Sequence, residues 1–519
     1  MTSDVILAID AGTQSIRAAF VDATGTILAI NQVPIQPYFA PQPGWAEQDP
    51  EYLWTALCDA TTGLTTQHRD ISARVVAVTL ATQRLTMVNV DAAGKPLRPA
   101  IIWADNRRAD TSKVLGPAAM GLAKMVGIGG LLEFSIGYAR SNWIRQHQPE
   151  VWAATHKYLF LSGFFTHRLT GEFTDSTANI LGTIPFESKT ATCSKPRSIN
   201  GVLFPIEPEK LPHVVPPGAQ LGTITARAAE RTGIAAGTPM IAAASDKACD
   251  VLGAGCLSPD QGSISFGTTA TFNVPTSTYV ELERFLPPFP AALQGQFHTE
   301  VSVLRGLWLV TWFKEEFGLA ERLAAAETNQ APEALLDDLI RDIPAGSLGL
   351  TTLPTWMPGP HGDPYGKGAV FGFGDVHTRA HLYRSILEGI VFALYAGAQQ
   401  TAKRTRTDIA VVRASGGGSQ SDVLMQITAD IFGIPAQRPH TSQTSVVGAA
   451  ISTALGLDWF ADASSAVAAM TRQSKQFEPI HANTSIYREL FDRVYQPSHQ
   501  RLAPLYKQIA LVTGYPERS

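Results

Sequence analysis

The chain begins with three short apolar runs that alternate with polar turns. The runs are Val5–Ile9, Ala18–Val21 and Ile27–Ile30. The stretch between the first two, Asp10–Arg17, is rich in small and hydroxyl side chains, and residues 22–25 read Asp-Ala-Thr-Gly. Short apolar runs bounded by turn residues are typical of buried strands. The pattern therefore predicts a β-meander whose first turn carries Asp, Gly, Thr and Arg together.

Helical and strand-like segments then alternate through the first half of the chain. Asp49 is a suitable N-cap and Pro50 suits the first helical position, so a helix is predicted from Pro50 to about Thr66. We predict further helices at Arg140–His147 and Tyr158–Leu169, and strands at Arg74–Leu80, Met87–Val90, Gly222–Thr225 and Thr238–Ala244. Such alternation is typical of α/β proteins.

The second half of the chain repeats the strand–turn–strand pattern with which the first half begins. A strand, a Gly-Thr-Thr turn and a second strand are predicted over Ser263–Phe272, and the strand Val411–Ala414 leads into a glycine-rich turn. Proline- and glycine-rich loops are predicted at 275–300 and Gly359–Asp375. Helices are predicted at Leu307–Glu316, from His377 to about Lys403, at Val423–Phe432, from Thr444, and from Tyr487 to the C-terminus.

The length and the charge of the chain limit the number of domains and the kinds of partner that are expected. At 519 residues the chain is too long for one ordinary core, so two large domains are expected. A hydrophobic content of 45% and a charged content of 17% are typical of a soluble globular enzyme. The net charge of −4, without a long basic run, argues against nucleic acid as a partner.

The sequence also indicates a cytoplasmic protein without a membrane segment. Leu387–Ala398 is apolar but contains Glu388, and is expected to be a buried helix. The N-terminus does not have the pattern of a signal peptide, because Asp10 ends its apolar run. The four cysteines form no Cys-x-x-Cys motif and are expected to be reduced, mostly buried thiols.

The first turn has the residue types that bind a polyphosphate. Gly12 allows close approach of the backbone, Thr13 and Gln14 add donors, and Arg17 adds a forked positive charge. Asp10, at the end of an apolar strand, could orient Mg²⁺ through water. The alternative is an ordinary hairpin turn, in which these residue types are also common.

Other polar groups follow the ends of predicted strands, where open α/β sheets bind ligands. Arg84 follows one strand, and Trp103 and Asp105 follow another; the alternative for these three is a packed, salt-bridged loop. Asp246 ends a strand and precedes a helix, so it is either an N-cap or a group facing a ligand, or both. The turn at 415–422, Ser-Gly-Gly-Gly-Ser-Gln-Ser-Asp, favours nucleotide binding at a helix N-terminus, or is a tight turn only.

These motifs, in this order, resemble the FGGY carbohydrate kinases, which share the actin/Hsp70-type ATPase fold. The resemblance covers nearly the whole chain and rests on Asp10-x-Gly-Thr with a following Arg, Trp103-x-Asp-x-x-Arg, Asp246, Phe266-Gly-Thr-Thr, Gly416-Gly-Gly-Ser-Gln-Ser-Asp, and Gly368-Ala-Val-Phe-Gly-Phe with His381-Leu-Tyr-Arg-Ser-Ile-Leu-Glu. The N-terminal family signature is poorer: Arg140-Ser-Asn-Trp stands where Lys, an apolar residue, any residue and Trp are usual.

The resemblance implies two RNase H-like domains, each a mixed twisted sheet with helices on both faces, with a cleft between them. Residues 1–255 would bind the sugar and hold the catalytic base, and residues 256–519 would bind ATP. Asp246 would be the general base, and Asp10 would hold Mg²⁺ through water. The transferring phosphoryl group would be surrounded by Gly12, Thr13, Gln14 and Arg17 and by Gly267 and Thr268, and the adenosine site would be lined by Gly417, Gly418 and Asp422.

The sugar would meet Gln83, Arg84, Trp103, Asp105 and Asp246. Xylulokinases commonly have Gly-Gln-Met-His-Gly where this chain has Ala-Thr-Gln-Arg-Leu at 81–85, and glycerol kinases commonly have Gln-Arg-Glu-Thr where it has Gln-Arg-Leu-Thr at 83–86. A ketopentose such as D-xylulose is the favoured substrate, and glycerol or another short polyol is the alternative. The family also implies a homodimer as one possible assembly.

Three other classes of function fit these motifs less well than a kinase does. A non-catalytic ATP-binding switch of the actin/Hsp70 type would lack the sugar-side motif at 100–108. A sugar sensor derived from a kinase would have lost its base, whereas Asp10, Thr13, Arg17 and Asp246 are all present. A dinucleotide-dependent dehydrogenase would carry a Gly-x-Gly-x-x-Gly fingerprint, which is missing.

Overall fold

The structure, a computed structural model, describes residues 4–283, 286–356 and 365–515. Its strands are β1 (Val5–Ala11), β2 (Ser15–Asp22), β3 (Ile27–Pro34), β4 (Glu47–Gln48), β5 (Val75–Thr82), β6 (Met87–Val90), β7 (Ala100–Ile101), β8 (Lys157–Phe160), β9 (Thr174–Ser176), β10 (Phe186–Glu187), β11 (Thr192–Cys193), β12 (His213–Val215), β13 (Gln220–Thr223), β14 (Pro239–Ser245), β15 (Gln261–Phe266), β16 (Ala270–Thr276), β17 (Phe289–Pro290), β18 (Phe297–Val303), β19 (Thr351–Leu353), β20 (Ala369–Phe371), β21 (Val411–Ser415), β22 (Ala436–Pro439) and β23 (Gln473–Phe477).

The helices alternate with these strands. They are α1 (Pro50–Gln67), α2 (Arg69–Ser72), α3 (Pro117–Met125), α4 (Gly129–Tyr138), α5 (Arg140–His147), α6 (Pro149–Ala154), α7 (Leu161–Thr170), α8 (Ile199–Leu203), α9 (Ala226–Thr232), α10 (Asp246–Gly253), α11 (Trp308–Phe317), α12 (Leu319–Thr328), α13 (Pro332–Leu339), α14 (Arg379–Thr405), α15 (Asp422–Phe432), α16 (Thr444–Gly456), α17 (Ala463–Met470), α18 (His481–Leu490) and α19 (Gln496–Thr513). No helix among the residues described is long and apolar enough to cross a membrane.

The chain divides into two compact units, both discontinuous in sequence. The first contains Met1–Leu257, Ser277–His298 and Thr444–Thr471, and the second contains Ser258–Thr276, Thr299–Gln443 and Arg472–Ser519. The main change of unit falls close to the expected boundary at 255/256. Two later stretches, Ser277–His298 and Thr444–Thr471, nevertheless belong to the first unit. A single boundary between two continuous domains does not describe this division.

The first unit is built on a six-stranded sheet in the order β13-β14-β5-β1-β2-β3. Strand β5 lies between β1 and β14 and is parallel to both, while β2 and β3 complete an antiparallel meander with β1. Both Ala11 and Ser245 are in register with Thr82. The carboxyl ends of β1, β5 and β14 therefore meet at one edge of the sheet, and the residues that follow them start from neighbouring positions.

Alternating side chains of β1 form two separate cores. Val5, Leu7 and Ile9 pack with residues of α1, α7 and α9, whereas Ile6 and Ala8 pack with residues of α10, α16 and α17. This is the period of two expected for a strand buried on both faces. The sheet is consequently covered by helices on both sides, as the RNase H-like fold requires.

Helices α10 and α16 approach each other closely through glycine. A Cβ placed on Gly253 would lie 1.9 Å from the carbonyl oxygen of Thr444, and one on Gly448 would lie 1.9 Å from that of Cys249. Neither position has room for a side chain, so this contact fixes the start of α16 against α10.

A smaller antiparallel sheet in the same unit has the order β4-β7-β6-β8. Strand β4 pairs with β7 through Glu47↔Ile101 and Gln48↔Ala100. The sheet packs on a separate aromatic core that includes Trp143 and Trp152. It supports the loop that follows β7 and carries Trp103.

The second unit contains a sheet in which β15 and β21 are parallel, as are β21 and β22, with β16 and β23 antiparallel to their partners. The long helix α14 contributes much of its apolar core, including Ile386, Ile390 and Leu394. Glu388 of this helix is buried and accepts hydrogen bonds from Arg384, Ser347 and Tyr487, which satisfies its carboxylate. The predicted buried helix with an internal carboxylate is thus confirmed.

Most predicted elements are present, with three differences. The expected helix Tyr158–Leu169 is a strand up to Phe160 and becomes helical only at Leu161, because residues 157–160 pair with β6. A short aromatic and apolar run fits either state until its partner is known. The expected loop 275–300 contains β17 and the start of β18, and β20 forms within the expected loop Gly359–Asp375, of which residues 359–364 lie outside the described part of the chain.

All four cysteines are free, as predicted. Cys58, Cys249 and Cys256 are buried and Cys193 is exposed.

Candidate active site

Asp10 is the penultimate residue of β1 and forms the centre of a buried charged group. Its side chain accepts hydrogen bonds from Arg17 Nη1 at 3.0 Å and from Ser445 Oγ at 3.2 Å. Only 5% of Asp10 is exposed, and this burial raises the pKa of its carboxyl to about 6, against the lowering effect of Arg17. The negative charges of Asp246 and Asp250 raise the pKa further.

Asp246 directly follows β14, which is separated from β1 by β5, and it is the first residue of α10. The preceding Ser245 occupies the cap position, and Asp246 Oδ1 accepts the N–H of Lys247 at 2.8 Å. Burial is the main cause that raises the pKa of Asp246; the charges of Lys247 and Arg84 lower it and that of Asp250 raises it. The side chain is partly exposed, so it remains accessible to a ligand.

The turn between β1 and β2 offers two backbone donors. The Gly12 N–H donates to the Ser15 carbonyl at 3.1 Å and is therefore not free for an anion. Within the part of the chain that the structure describes, the N–H groups of Thr13 and Gln14 have no recorded partner. The Gln14 side chain is exposed and Arg17 is partly exposed. The anion-binding capacity of this turn therefore rests on Thr13, Gln14 and Arg17.

The Thr13 hydroxyl links this turn to Gln83 and Trp103. It donates to Gln83 Oε1 at 2.8 Å and accepts from Trp103 Nε1 at 3.1 Å. Gln83 follows β5 directly, and Trp103 lies two residues after β7. Trp103 is 37% exposed. The structure thus brings Thr13, Gln83 and Trp103 together at the edge where β1 and β5 end.

Arg84 lies beside Asp246 and against an aromatic ring. Its guanidinium carbon is 4.6 Å from the centroid of Phe289, within the range of a cation–π contact, and its charge lowers the pKa of Asp246. Phe289 belongs to Ser277–His298, the second stretch of the first unit. The next residue, Leu85, has φ = 56°, a left-handed conformation that is uncommon for leucine.

In the second unit, the Gly-Thr-Thr turn joins β15 and β16. The carbonyls of Gly267 and Thr268 accept the N–H groups of Leu307 and Trp308, at 3.0 and 3.3 Å, so the turn is held against the start of α11. The Thr268 side chain is exposed. Its hydroxyl can contact a ligand, while the carbonyls of Gly267 and Thr268 each already accept a backbone N–H.

The glycine-rich turn after β21 leads directly into α15. Gly416 has φ = 81°, and a Cβ at this residue would lie 2.6 Å from the Phe266 carbonyl oxygen, so only glycine fits there. A Cβ at Gly418 would lie 2.4 Å from Leu307 Cδ1, whereas one at Gly417 would meet no atom within 4 Å. Gly416 and Gly418 are therefore needed for packing, and Gly417 borders open space.

Comparison with known proteins agrees with this arrangement. Residues 5–253 match the N-terminal domain, and residues 262–457 the C-terminal domain, of the FGGY family of carbohydrate kinases. The chain belongs to the FGGY family of carbohydrate kinases. The predicted family resemblance and the two-domain fold class are thereby confirmed.

Three individual FGGY relatives span almost the whole chain. The uncharacterized sugar kinase YgcE of Escherichia coli (strain K12) is 31% identical over 94% of this chain and 92% of its own length. A glycerol kinase of Dechloromonas aromatica (strain RCB) is 28% identical over 91% of this chain and 93% of its own. The crystal structure of xylulose kinase from Rhodospirillum rubrum superposes with a TM-score of 0.82 at 25% identity, covering 97% of this chain and 100% of that one.

One expected sugar ligand of this FGGY chain has a different environment from the one predicted. Asp105 is fully buried: it accepts the Ala46 N–H at 2.7 Å and the N–H groups of Arg107, whose Nη2 is 2.7 Å from Oδ2. Arg107 also pairs with Glu47 at 2.9 Å and lies 3.8 Å above the Trp45 ring. Both oxygens of Asp105 are occupied, which corresponds to the packed, salt-bridged alternative.

Asp422, an expected adenosine-site residue, is also held by protein cations. It is the first residue of α15, and its two oxygens bond to Arg438, at 2.7 Å, and to Lys475. Hydrogen bonds from Lys475 and Arg438 hold the pKa of Asp422 below its usual range. A nucleotide hydroxyl would compete with these cations for the carboxylate.

Four further residues of this region were not predicted from the sequence. Thr444 and Ser445, at the start of α16, donate to Asp250 at 2.8 Å and to Asp10 at 3.2 Å. Gln48 accepts from Gln83 at 2.7 Å, and Phe289 contacts Arg84. The pair Thr444-Ser445 at the start of a small-residue helix is a usable signal, but no local pattern distinguishes Phe289 in a proline-rich stretch.

The donor set near Asp10 fits a hard cation only in part. Asp10, Asp246 and Asp250 provide the carboxylate oxygens that Mg²⁺ prefers, and their mutual repulsion would be relieved by a cation. Among residues 4–283, 286–356 and 365–515, however, no three metal-binding side chains converge as a complete site. These residues fit a Mg²⁺ that keeps its waters and takes its remaining ligands from phosphate.

Proposed function

We propose that this protein transfers the γ-phosphoryl group of ATP to a hydroxyl of a small sugar or polyol. The observation that carries the proposal is the pair of strand-end carboxylates, Asp10 and Asp246, in the first unit, each with an arginine beside it. A partly exposed base and a buried group that can orient a metal are what phosphoryl transfer needs, since positioning and charge stabilisation supply most of its catalysis.

In the proposed reaction Asp246 accepts the proton of the attacking sugar hydroxyl. Its raised pKa makes it a stronger base than an exposed aspartate, and its accessibility allows hydrogen-bond contact with the hydroxyl. Arg84 orients the sugar and prevents the pKa of Asp246 from rising further. Mg²⁺, held by Asp10 through water, would neutralise the phosphate oxygens.

We further propose that the second unit binds the nucleotide. The glycine-rich turn presents the open side of Gly417 immediately before the N-terminus of α15, where phosphate or ribose oxygens are favoured. Gly267 and Thr268 would contact the phosphates from their turn. The free thiols are consistent with the cytoplasmic location that we propose.

A ketopentose such as D-xylulose is our first candidate acceptor. The similarity to xylulose kinase from Rhodospirillum rubrum, over essentially both chains, supports it. Glycerol or another short polyol is the second candidate. The Gln83-Arg84 pair and the similarity to the Dechloromonas glycerol kinase favour it, while Leu85 replaces the glutamate common in such enzymes.

The test is ADP release by the purified protein with Mg-ATP against ketopentoses, aldoses, tetritols and glycerol. Stimulation by one compound supports the proposal and names the acceptor. D-xylulose as the best acceptor would support our first candidate, and glycerol the second. ATP binding without stimulation by any compound would contradict a kinase for these acceptors and favour a non-catalytic switch or sensor.

A further inference from the structure

A continuous chain of hydrogen bonds joins four side chains of the first unit, and we name it the relay. Trp103 Nε1 donates to Thr13 Oγ1 at 3.1 Å, and Thr13 donates to Gln83 Oε1 at 2.8 Å. Gln83 Nε2 donates to Gln48 Oε1 at 2.7 Å, and Gln48 Nε2 donates to the Pro37 carbonyl at 2.5 Å. The two glutamines are 4% and 2% exposed, so water does not readily substitute for a lost partner.

The two ends of the relay determine its direction. An indole N–H can only donate, and the Pro37 carbonyl can only accept. Every group between Trp103 and Pro37 must therefore donate away from the indole, which fixes the orientation of both amides and of the Thr13 hydroxyl. Hydrogen bonds that run head to tail in this way also strengthen one another in a buried site.

The backbone holds both ends of the relay. Gln48 lies on β4, which pairs with β7 through Gln48↔Ala100, and Trp103 follows β7 by two residues. The Gln83 N–H donates to the Ala11 carbonyl at 2.9 Å, which extends the pairing of β1 with β5. Side chains at the ends of four strands, β1, β4, β5 and β7, are thus closed into one ring, because β4 pairs with β7.

The direction of the relay decides what Thr13 can offer to a ligand. Its only hydroxyl proton is given to Gln83, and one lone pair accepts from Trp103. The remaining lone pair can accept from a sugar hydroxyl but cannot bond to a phosphate oxygen, which also only accepts. For a phosphoryl group, Thr13 retains only its backbone N–H.

We propose that Gln48 is a positioning residue that fixes the polarity of the relay and so reserves the Thr13 hydroxyl for the sugar. This inference rests on the proposed kinase function for its kinetic consequence, but not for the relay itself. Without Gln48, the amide of Gln83 could turn over and present its NH₂ to Thr13. The Thr13 proton would then point elsewhere, and the lone pair facing the sugar would be lost.

The kinetic test compares Gln48→Leu with Gln48→Glu, which keeps the acceptor for Gln83. Gln48→Leu leaves the buried amide of Gln83 without its acceptor. We therefore expect the sugar KM to rise about tenfold and the ATP KM to change by less than about twofold. Gln48→Glu should stay closer to the wild type. The control is Asn89→Leu, which removes another buried amide bond of this unit, to Thr155 at 3.0 Å, outside the relay.

A double-mutant cycle separates the relay from general destabilisation. The effect of Gln48→Leu should largely disappear in a Thr13→Val background, because both changes break the same chain, whereas the effect of Asn89→Leu should add. Additive effects of Gln48→Leu and Thr13→Val, or an equal rise in both KM values for Gln48→Leu, would overturn the role of Gln48.

A spectroscopic measurement tests the relay without any substrate. The protein is labelled with fluorotryptophan, and the ¹⁹F resonance of Trp103, one of nine tryptophans, is assigned with Trp103→Phe. That resonance should shift in Gln48→Leu and in Thr13→Val but not in Asn89→Leu. An unchanged resonance in Gln48→Leu overturns the relay even if the protein proves to be a sugar kinase. A shifted resonance in a protein that phosphorylates no sugar would support the relay and contradict the proposed function.

Discussion

The change Asp105→Asn distinguishes a sugar ligand from a structural residue. Asp105 lies in a buried cluster with three guanidinium groups, those of Arg98, Arg107 and Arg140, and one other carboxylate, Glu47. Asparagine keeps the shape but removes the negative charge, so three buried cations would face one carboxylate. Its NH₂ group would also meet donors, since Ala46 and Arg107 both donate to Asp105.

Breaking a buried ion pair by removing one partner costs about 3–5 kcal/mol. At about 2–4 °C for each kcal/mol in a unit of this size, the melting temperature should fall by about 10 °C. Sugar KM measured at about 20 °C, well below the transition, should stay within about threefold of the wild type, because the carboxylate has no oxygen left for a ligand. Thermal unfolding followed by circular dichroism, with steady-state kinetics on the same preparation, measures both.

The matched control is Asp110→Asn, five positions further along the same loop. Asp110 is exposed and caps Ser112, a role that asparagine also fills, so stability should change by less than about 0.5 kcal/mol. A variant Asp105→Asn with the melting temperature of the wild type and a sugar KM raised tenfold would refute this reasoning and return Asp105 to the sugar site.

Three further predictions concern the charged groups of the site. Asp246→Asn should lower kcat by about 10²–10⁴-fold while ATP binding measured by calorimetry is retained; turnover near that of the wild type would exclude Asp246 as the base. Asp10 has a folded pKa of about 6 against an ordinary 3.8, so its burial destabilises the fold increasingly as pH rises from about 4 to 6. Asp10→Asn should therefore gain up to about 3 kcal/mol over the wild type at pH 7 and little at pH 4, by urea unfolding; a gain independent of pH would contradict this. Phe289→Leu should raise sugar KM about threefold by loosening Arg84, and Arg84→Ala should raise it further, with ATP KM unchanged; equal effects on both substrates would place this pair outside the sugar site.

The sequence is informative where chemistry and local structure coincide. The change from apolar to polar residues marks the end of a buried strand in the sequence. The positions of Asp10, Gln83 and Asp246 near strand ends can therefore be predicted, and they agree with the fold. Parallel pairing of β1, β5 and β14 then brings these ends to one edge, which is a general property of such sheets.

The roles of individual side chains are harder to predict because they depend on distant partners. Nothing near Asp105 in sequence shows that the Ala46 N–H will occupy one of its oxygens. Gly12 has the residue type expected at an anion-binding turn, yet its N–H is used by Ser15 within the same hairpin. Phe289 reaches Arg84 only because a stretch 205 residues later in the chain (289 minus 84) folds into the first unit.

The discontinuity of the first unit has a consequence for its biosynthesis. Asp10 is among the first residues to leave the ribosome, but its partner Ser445 is synthesised 435 residues later. Until then the face of the sheet formed by Ile6 and Ala8 lacks the apolar side chains of α16 that complete its core. A nascent or truncated chain ending before Thr444 would therefore expose an aggregation-prone surface, so we expect the last quarter of translation, rather than the first half, to be when this unit acquires its final stability.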